Sequence, residues 1–365
     1  MKSISIPYAR CLRPAACCWG GGAGVTVARN QRRQVAPSDI TSIGTSGWKQ
    51  LDTARLLLSL IVVVAHANYV FITPLGYTAT FPITEWMARY AVLAFFVLSG
   101  LVIGRSLALR RDGFVPFMIR RVGRIYPPLI LSFVLVVAID HALSSADIPT
   151  RALPNAGLMV SSFSYDLRSV ALSLATFGFR GWLSSEANGA LWSLVIEMRC
   201  YVVAGLLAQI AFSRTPLGKT TCIGALVYVF GLLAHDRLDS VILLSYAAFA
   251  FGLLLSLAVT RIPEVMPAVP VDISYSLYIL HSPIMLGLYF VFYQPSFPSL
   301  SGALALSCVA ISTAITLSLL SARYIEPFRG QTLAAACEKS LASRGIPSKR
   351  QPIGSSSFEG SIRSD

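Results

Sequence analysis

One stretch constrains this chain before any other. Residues Leu51–Ile72, LDTARLLLSLIVVVAHANYVFI, are long enough to cross a bilayer, since a spanning helix needs about 20 mostly apolar residues. The stretch nevertheless carries Arg55 near one end and His66 deep inside. Ionisable side chains in a membrane helix cost roughly 2.5–3.5 kcal/mol on insertion scales and normally face a cavity or a partner. Eleven positions separate the two residues, about three helical turns, so they share a face roughly 16 Å apart along the axis. Ser59 falls on the same stripe. The first expectation is a membrane helix with a polar face turned inward.

The rest of the chain repeats the pattern. Of its 365 residues 55% are hydrophobic and only 13% charged, against about 25% charged in soluble domains. The predicted fold is all-α, a polytopic transmembrane bundle with eight clear spans. They are Leu51–Ile72, Trp86–Leu107, Pro127–Leu143, Leu191–Phe212, Thr220–His235, Ser240–Thr260, Ile273–Tyr293 and Ser301–Tyr324. Pro127 is placed in the first turn of the third, where its missing N–H costs nothing. Residues 144–190 read as a partly buried or re-entrant loop, with a broken span as the alternative; if that region and another segment insert, the count rises to ten. Residues 1–47 and 331–365 read as disordered tails flanking a membrane domain, 48–330.

The net charge of +13 fits a membrane protein better than a nucleic-acid binder. Basic residues gather on the cytoplasmic side of such proteins, and here they flank the spans. With both termini inside, the Arg105–Arg124 cluster, Arg214 with Lys219, and Arg261 all fall on the cytoplasmic face. The seven cysteines show no paired framework and no zinc spacing, so no metal is expected.

Four constellations carry possible chemistry. Arg55, Ser59 and His66 form the first. In LWSLVIEMRCY, Ser193, Glu197 and Tyr201 recur every four residues and line one helix face; Arg199 lies about 200° away from Glu197 around the same helix. In DISYSLYILHSP, Ser274, Tyr278 and His281 share a face, and Pro283 frees the carbonyl of Ile279. The fourth is basic: Arg120, Arg121, Arg124 and Tyr126, whose guanidinium forks suit phosphates. Ser99-Gly100 is expected to allow close helix approach.

Together these motifs resemble the acyltransferase 3 family of integral membrane acyltransferases, which O-acylate sugars of O-antigens, exopolysaccharides and Nod factors. The resemblance runs through LDTARLLLSLIVVVAH, FFVLSG (Phe95–Gly100), RRVGRIYPP (Arg120–Pro128), LWSLVIE and SYSLYILHSP, in that order. Thr53, Cys200 and Ser282 depart from the family's common residues. The resemblance implies transfer of an acyl group, acetyl as the expected one, from acyl-CoA to a carbohydrate hydroxyl in a bacterial plasma membrane. It gives His66 the role of general base and Glu197 that of its orienting carboxylate. Arg55, Arg121 and Arg124 would hold acyl-CoA, and Ser193, Tyr278, His281 and Ser99 would line the substrate cavity. Direct transfer and a relay through an acyl-enzyme on His66 or Ser99 both stay open. The rival reading from the residues alone is a transporter or flippase, because midplane ionisable residues also line transport paths.

Overall fold

The computed structural model describes residues 45–110, 113–149, 163–180, 187–213, 215–235, 240–259, 273–293 and 299–325. The expected tails lie outside these residues, except that residues 45–47 already belong to the first helix. Among the described residues there are nine α-helices and no strand. They are α1 (Thr45–Ala67), α2 (Phe81–Arg110), α3 (Phe114–Ser145), α4 (Leu167–Ala175), α5 (Leu191–Phe212), α6 (Pro216–His235), α7 (Ser240–Ala258), α8 (Ser274–Tyr293) and α9 (Leu300–Leu320). Seven spans built on α1, α2, α3, α5, α7, α8 and α9 are long and apolar enough to cross a membrane, and α6 stands where the sequence puts its fifth span. The all-α polytopic bundle is borne out.

Four helix starts lie well ahead of expectation, α1 at Thr45 and α6 at Pro216 among them. The second span begins five residues earlier, at Phe81, and the third begins at Phe114, so Pro127 and Pro128 lie inside a 32-residue helix rather than in its first turn. Hydropathy marks only the apolar part of each helix. The basic half of α3 opens on a capped turn: the Phe114 N–H donates to Gln209 Oε1 of α5 at 2.8 Å, satisfying one of the orphan donors of a helix N-terminus. Neither proline can donate to the carbonyl four residues earlier, Gly123 or Arg124.

His66 sits just before a change of winding. After Ala67 the chain makes one π-helical turn, Asn68–Ile72, in which the Thr73 N–H reaches back to the Asn68 carbonyl. It then passes through Thr73–Leu75 to Gly76, whose φ of +90° ends the span in the left-handed region. Asn68 ties this turn to α2, donating to Thr84 Oγ1 at 3.0 Å and accepting from Thr80 Oγ1 at 3.1 Å. Single π turns are frequent at functional sites.

Packing follows residue size. α2 and α7 touch backbone to backbone: a Cβ on Gly100 would collide with the Phe249 carbonyl, and one on Gly252 with the Val97 carbonyl. The sequence's expectation for Ser99-Gly100 is met. On α9 the buried stripe is Ala303, Ser307, Ala310, Ala314 and Ser318, the small-residue surface that lets membrane helices approach without a hydrophobic driving force. α5 and α8 form the interior, while α7 and α9 are mostly outward-facing. Of residues 144–190, 150–162 and 181–186 lie outside the described residues; among the rest, α4 opens on Asp166, whose carboxylate caps the Arg168 N–H at 3.0 Å, and Phe163, Val170 and Asn188 are buried.

Candidate active site

Two adjoining cavities hold most of the polar residues singled out from the sequence. The first is narrow. Its walls include Arg55, Ser99, Arg124, Ser193, Glu197, Tyr201 and Tyr278. The helical stripes account for this: Ser193, Glu197 and Tyr201 emerge from one face of α5, and Ser274 and Tyr278 from one face of α8. Glu197 Oε1 accepts from Ser99 Oγ at 2.7 Å and from Tyr201 Oη at 2.5 Å, and the two hydroxyls lie 3.2 Å apart. Ser193 Oγ and Tyr278 Oη are hydrogen-bonded at 2.7 Å. Ser59 extends the set, with its hydroxyl 2.9 Å from the Ser274 carbonyl, which fixes α1 against the start of α8. Arg55 is buried and lies 3.6 Å from Asp52.

The second cavity, of about 400 Å³, contains His66 together with Glu85, Arg89, Trp192 and Arg199. Tyr278 and Val92 line both cavities. His66 Nδ1 is 2.8 Å from the Val62 carbonyl. A carbonyl only accepts, so Nδ1 carries the proton and the neutral ring presents Nε2 as an acceptor. The same reasoning applies to His281, whose Nδ1 is 3.2 Å from the Leu277 carbonyl. The two imidazoles pack edge to face, with centroids 4.9 Å apart.

The structure separates some residues that the sequence groups. His66 and Glu197 line different cavities. The carboxylate is held by Ser99 and Tyr201, and the imidazole Nδ1 by its own helix, so Glu197 does not orient His66. His281 is fully buried behind His66 and belongs to neither cavity wall. Arg124 and Arg55 reach the first cavity, but Arg121 does not. Its guanidinium stacks 5.3 Å from the Phe117 centroid and 5.6 Å from that of Tyr201, with Nη2 3.5 Å from Ser106 Oγ. It therefore backs the tyrosine that donates to Glu197.

Other residues matter that the stripes do not announce. The Ile279 carbonyl freed by Pro283 is met by Asn188 Nδ2 at 3.0 Å and by Ser132 Oγ at 3.4 Å, and Asn188 also donates to Ser132 at 2.8 Å. Pro283 announces that a donor is needed; nothing in the sequence says which residue supplies it. Arg199 Nε donates to the Gly178 carbonyl at 2.8 Å and its guanidinium lies over Phe179. This agrees with its position away from Glu197. Gly178 has φ +79°, and a Cβ there would meet Val195.

Known proteins bear on this arrangement in one direction. A curated O-acetyl transferase from Shigella phage Sf6 is 31% identical over 186 residues, 49% of this chain and 50% of that protein. This chain thus spans about half the length of the curated relative it matches. No solved structure matches. The family model described as an acyltransferase domain matches residues 48–235. That range takes in Arg55, His66, Ser99, Arg124 and Glu197 and leaves the α8 residues outside. With just over half of its residues inside the match, the chain belongs to the acyltransferase 3 family.

Proposed function

We propose that this protein is a plasma-membrane O-acetyltransferase that moves an acetyl group from acetyl-CoA to a carbohydrate hydroxyl, with both termini cytoplasmic. The observation that carries the reading is the pair of adjoining cavities: two guanidinium groups on one, an imidazole with an accepting Nε2 on the other, and Tyr278 common to both. Arg55 and Arg124 hold the anionic donor through charge-assisted hydrogen bonds. In the proposed orientation they lie toward the cytoplasm, where acyl-CoA is available, and His66 lies toward the outer half.

The chemistry follows from the groups. A sugar hydroxyl is a poor nucleophile at neutral pH, and a positioned base typically contributes 10²–10⁴-fold. His66 Nε2 takes the hydroxyl proton as the oxygen attacks the thioester carbonyl. A carbon–oxygen bond forms, the tetrahedral intermediate collapses, and the carbon–sulfur bond breaks. The thiolate leaves with the proton returned from His66. Tyr278 lines both cavities; with Ser193 donating to its oxygen, its own O–H would steady the carbonyl oxygen. Ser99 donates to Glu197 rather than to an imidazole, which favours direct transfer over a seryl relay.

The test is mass spectrometry of envelope and secreted glycans from a strain lacking the gene, complemented with wild type or His66→Ala. The expected result is one acetyl mass restored by wild type only, with the variant protein present at normal level. Acetylation restored by His66→Ala removes His66 from the mechanism. A change in glycan export without a change in acylation supports a transporter instead.

A further inference from the structure

A third cavity, of about 430 Å³, lies between the N-terminal halves of α2 and α7. The two helices run in the same direction and meet backbone to backbone at Gly100 and Gly252. The cavity sits toward their other ends, walled by Glu85, Trp86, Arg89 and Tyr90 of α2 and by Leu244 of α7, with Trp192 of α5 as its floor. Glu85, Arg89 and Trp192 also wall the cavity that holds His66. The two spaces therefore adjoin at these side chains, and together they make up a groove between the side of the bundle and the imidazole.

We propose that this groove is the acceptor site, and that it takes a saccharide still attached to a lipid, delivered from within the bilayer. The inference rests on the acyl-transfer reading and names its acceptor class. The groove combines aromatic faces with one ion pair. Arg89 Nη2 lies 2.6 Å from Glu85 Oε1, and neither side chain is buried. The pair shares this wall with Ser240 and Ser245. It offers the carboxylate acceptors and guanidinium donors that hydroxyls need, while the indole faces of Trp86 and Trp192 offer flat apolar surface to the C–H face of a pyranose. An acyl chain alone would have no use for the charges.

The route of entry follows from exposure. Trp86 and Tyr90 are each 59% exposed and Leu244 is 52% exposed, on the flank of helices that face lipid. Interfacial aromatic belts account for Trp86 and Tyr90 by themselves. They do not account for Trp192, which is partly buried, or for an ion pair that reaches both cavities.

The experiment uses the full chain in lipid nanodiscs and polyprenyl-phosphate-linked monosaccharides as probes: glucose, galactose, rhamnose and N-acetylglucosamine. Binding is read by tryptophan fluorescence, with sugar-free polyprenyl phosphate and free monosaccharides as controls. At least one lipid-linked sugar is expected to bind about tenfold more tightly than either control, with Glu85→Gln and Arg89→Gln each weakening it about tenfold, as expected for a lost hydrogen bond to a charged group. The thermal shift given by acetyl-CoA should persist in both variants, showing them folded. Equal binding of the sugar-free carrier, equal binding of free sugar, no binding by any probe, or no effect of the two substitutions overturns the proposal. Because binding is read without turnover, a chain that binds lipid-linked sugar through Glu85 yet transfers no acetyl group retains this site and loses the acyl-transfer reading.

Discussion

Asn188→Ala tests how the bundle tolerates a proline in its most buried region. Pro283 cannot donate to the Ile279 carbonyl, and that oxygen, deep between α3, α5 and α8, is met by Asn188 Nδ2 at 3.0 Å. Removing the amide leaves that carbonyl with the Ser132 hydroxyl, at 3.4 Å. An under-satisfied buried carbonyl costs roughly 1–3 kcal/mol; interhelical hydrogen bonds in membranes average nearer ~0.6 kcal/mol. We therefore expect Asn188→Ala to destabilise by about 1–2 kcal/mol.

The sharper test is the cycle with Pro283→Ala. An alanine at 283 supplies the missing N–H, so the carbonyl no longer depends on Asn188. In that background Asn188→Ala should cost about 1 kcal/mol less, the surviving cost coming from the Ser132 contact and lost packing. Reversible unfolding in mixed micelles, titrated with denaturing detergent, gives all four corners of the cycle, and the interaction energy is their double difference. Equal costs in the two backgrounds would falsify the claim that Asn188 serves the carbonyl freed by the proline.

Three further expectations follow from packing and charge. Gly252→Ala forces α2 and α7 apart and should cost about 1–3 kcal/mol by overpacking. Gly231→Ala, where a Cβ meets nothing within 4 Å, should be neutral or stabilise by up to about 1 kcal/mol through helix propensity; thermal unfolding of both decides. Glu197→Gln keeps an oxygen for Ser99 and Tyr201 and should stay folded within about 1 kcal/mol, whereas Glu197→Leu leaves the two hydroxyls only each other and should cost about 2 kcal/mol. Similar melting curves for the two would show that the network contributes nothing. Arg199→Lys loses the bond to the Gly178 carbonyl and the stacking on Phe179 and should cost about 1–2 kcal/mol, read by the same unfolding assay; an unchanged midpoint would contradict it.

The sequence carried the helices because lipid imposes one rule on all of them: long apolar runs with satisfied backbones. It carried the inward faces because polar residues repeat at the helical period. It failed at helix starts, where hydropathy stops but the helix continues. In α3 the residues Phe114–Arg124 are helical although basic, and their first turn is capped by Gln209, which lies 95 positions away. No local pattern announces a partner at that distance.

The site divides along the same line. Period places Ser193, Glu197 and Tyr201 on one face of α5, and the structure keeps them there. Period cannot say which helix they meet or at what depth. His66 and Glu197 look like a base and its carboxylate because both are ionisable, inward and intramembrane. Yet a helix is a ruler as well as a stripe. Arg55 and His66 lie about 16 Å apart on one axis, and the cavity that takes in Arg55 with Glu197 therefore does not also contain His66. Depth assigns Glu197 to the cavity that also holds two arginines, and leaves His66 beside the second imidazole. Glu197 adds a carboxylate to the cavity that Arg55 and Arg124 wall, while Arg55 keeps its own partner in Asp52. The residues read as one catalytic set thus fall into two, joined at Tyr278.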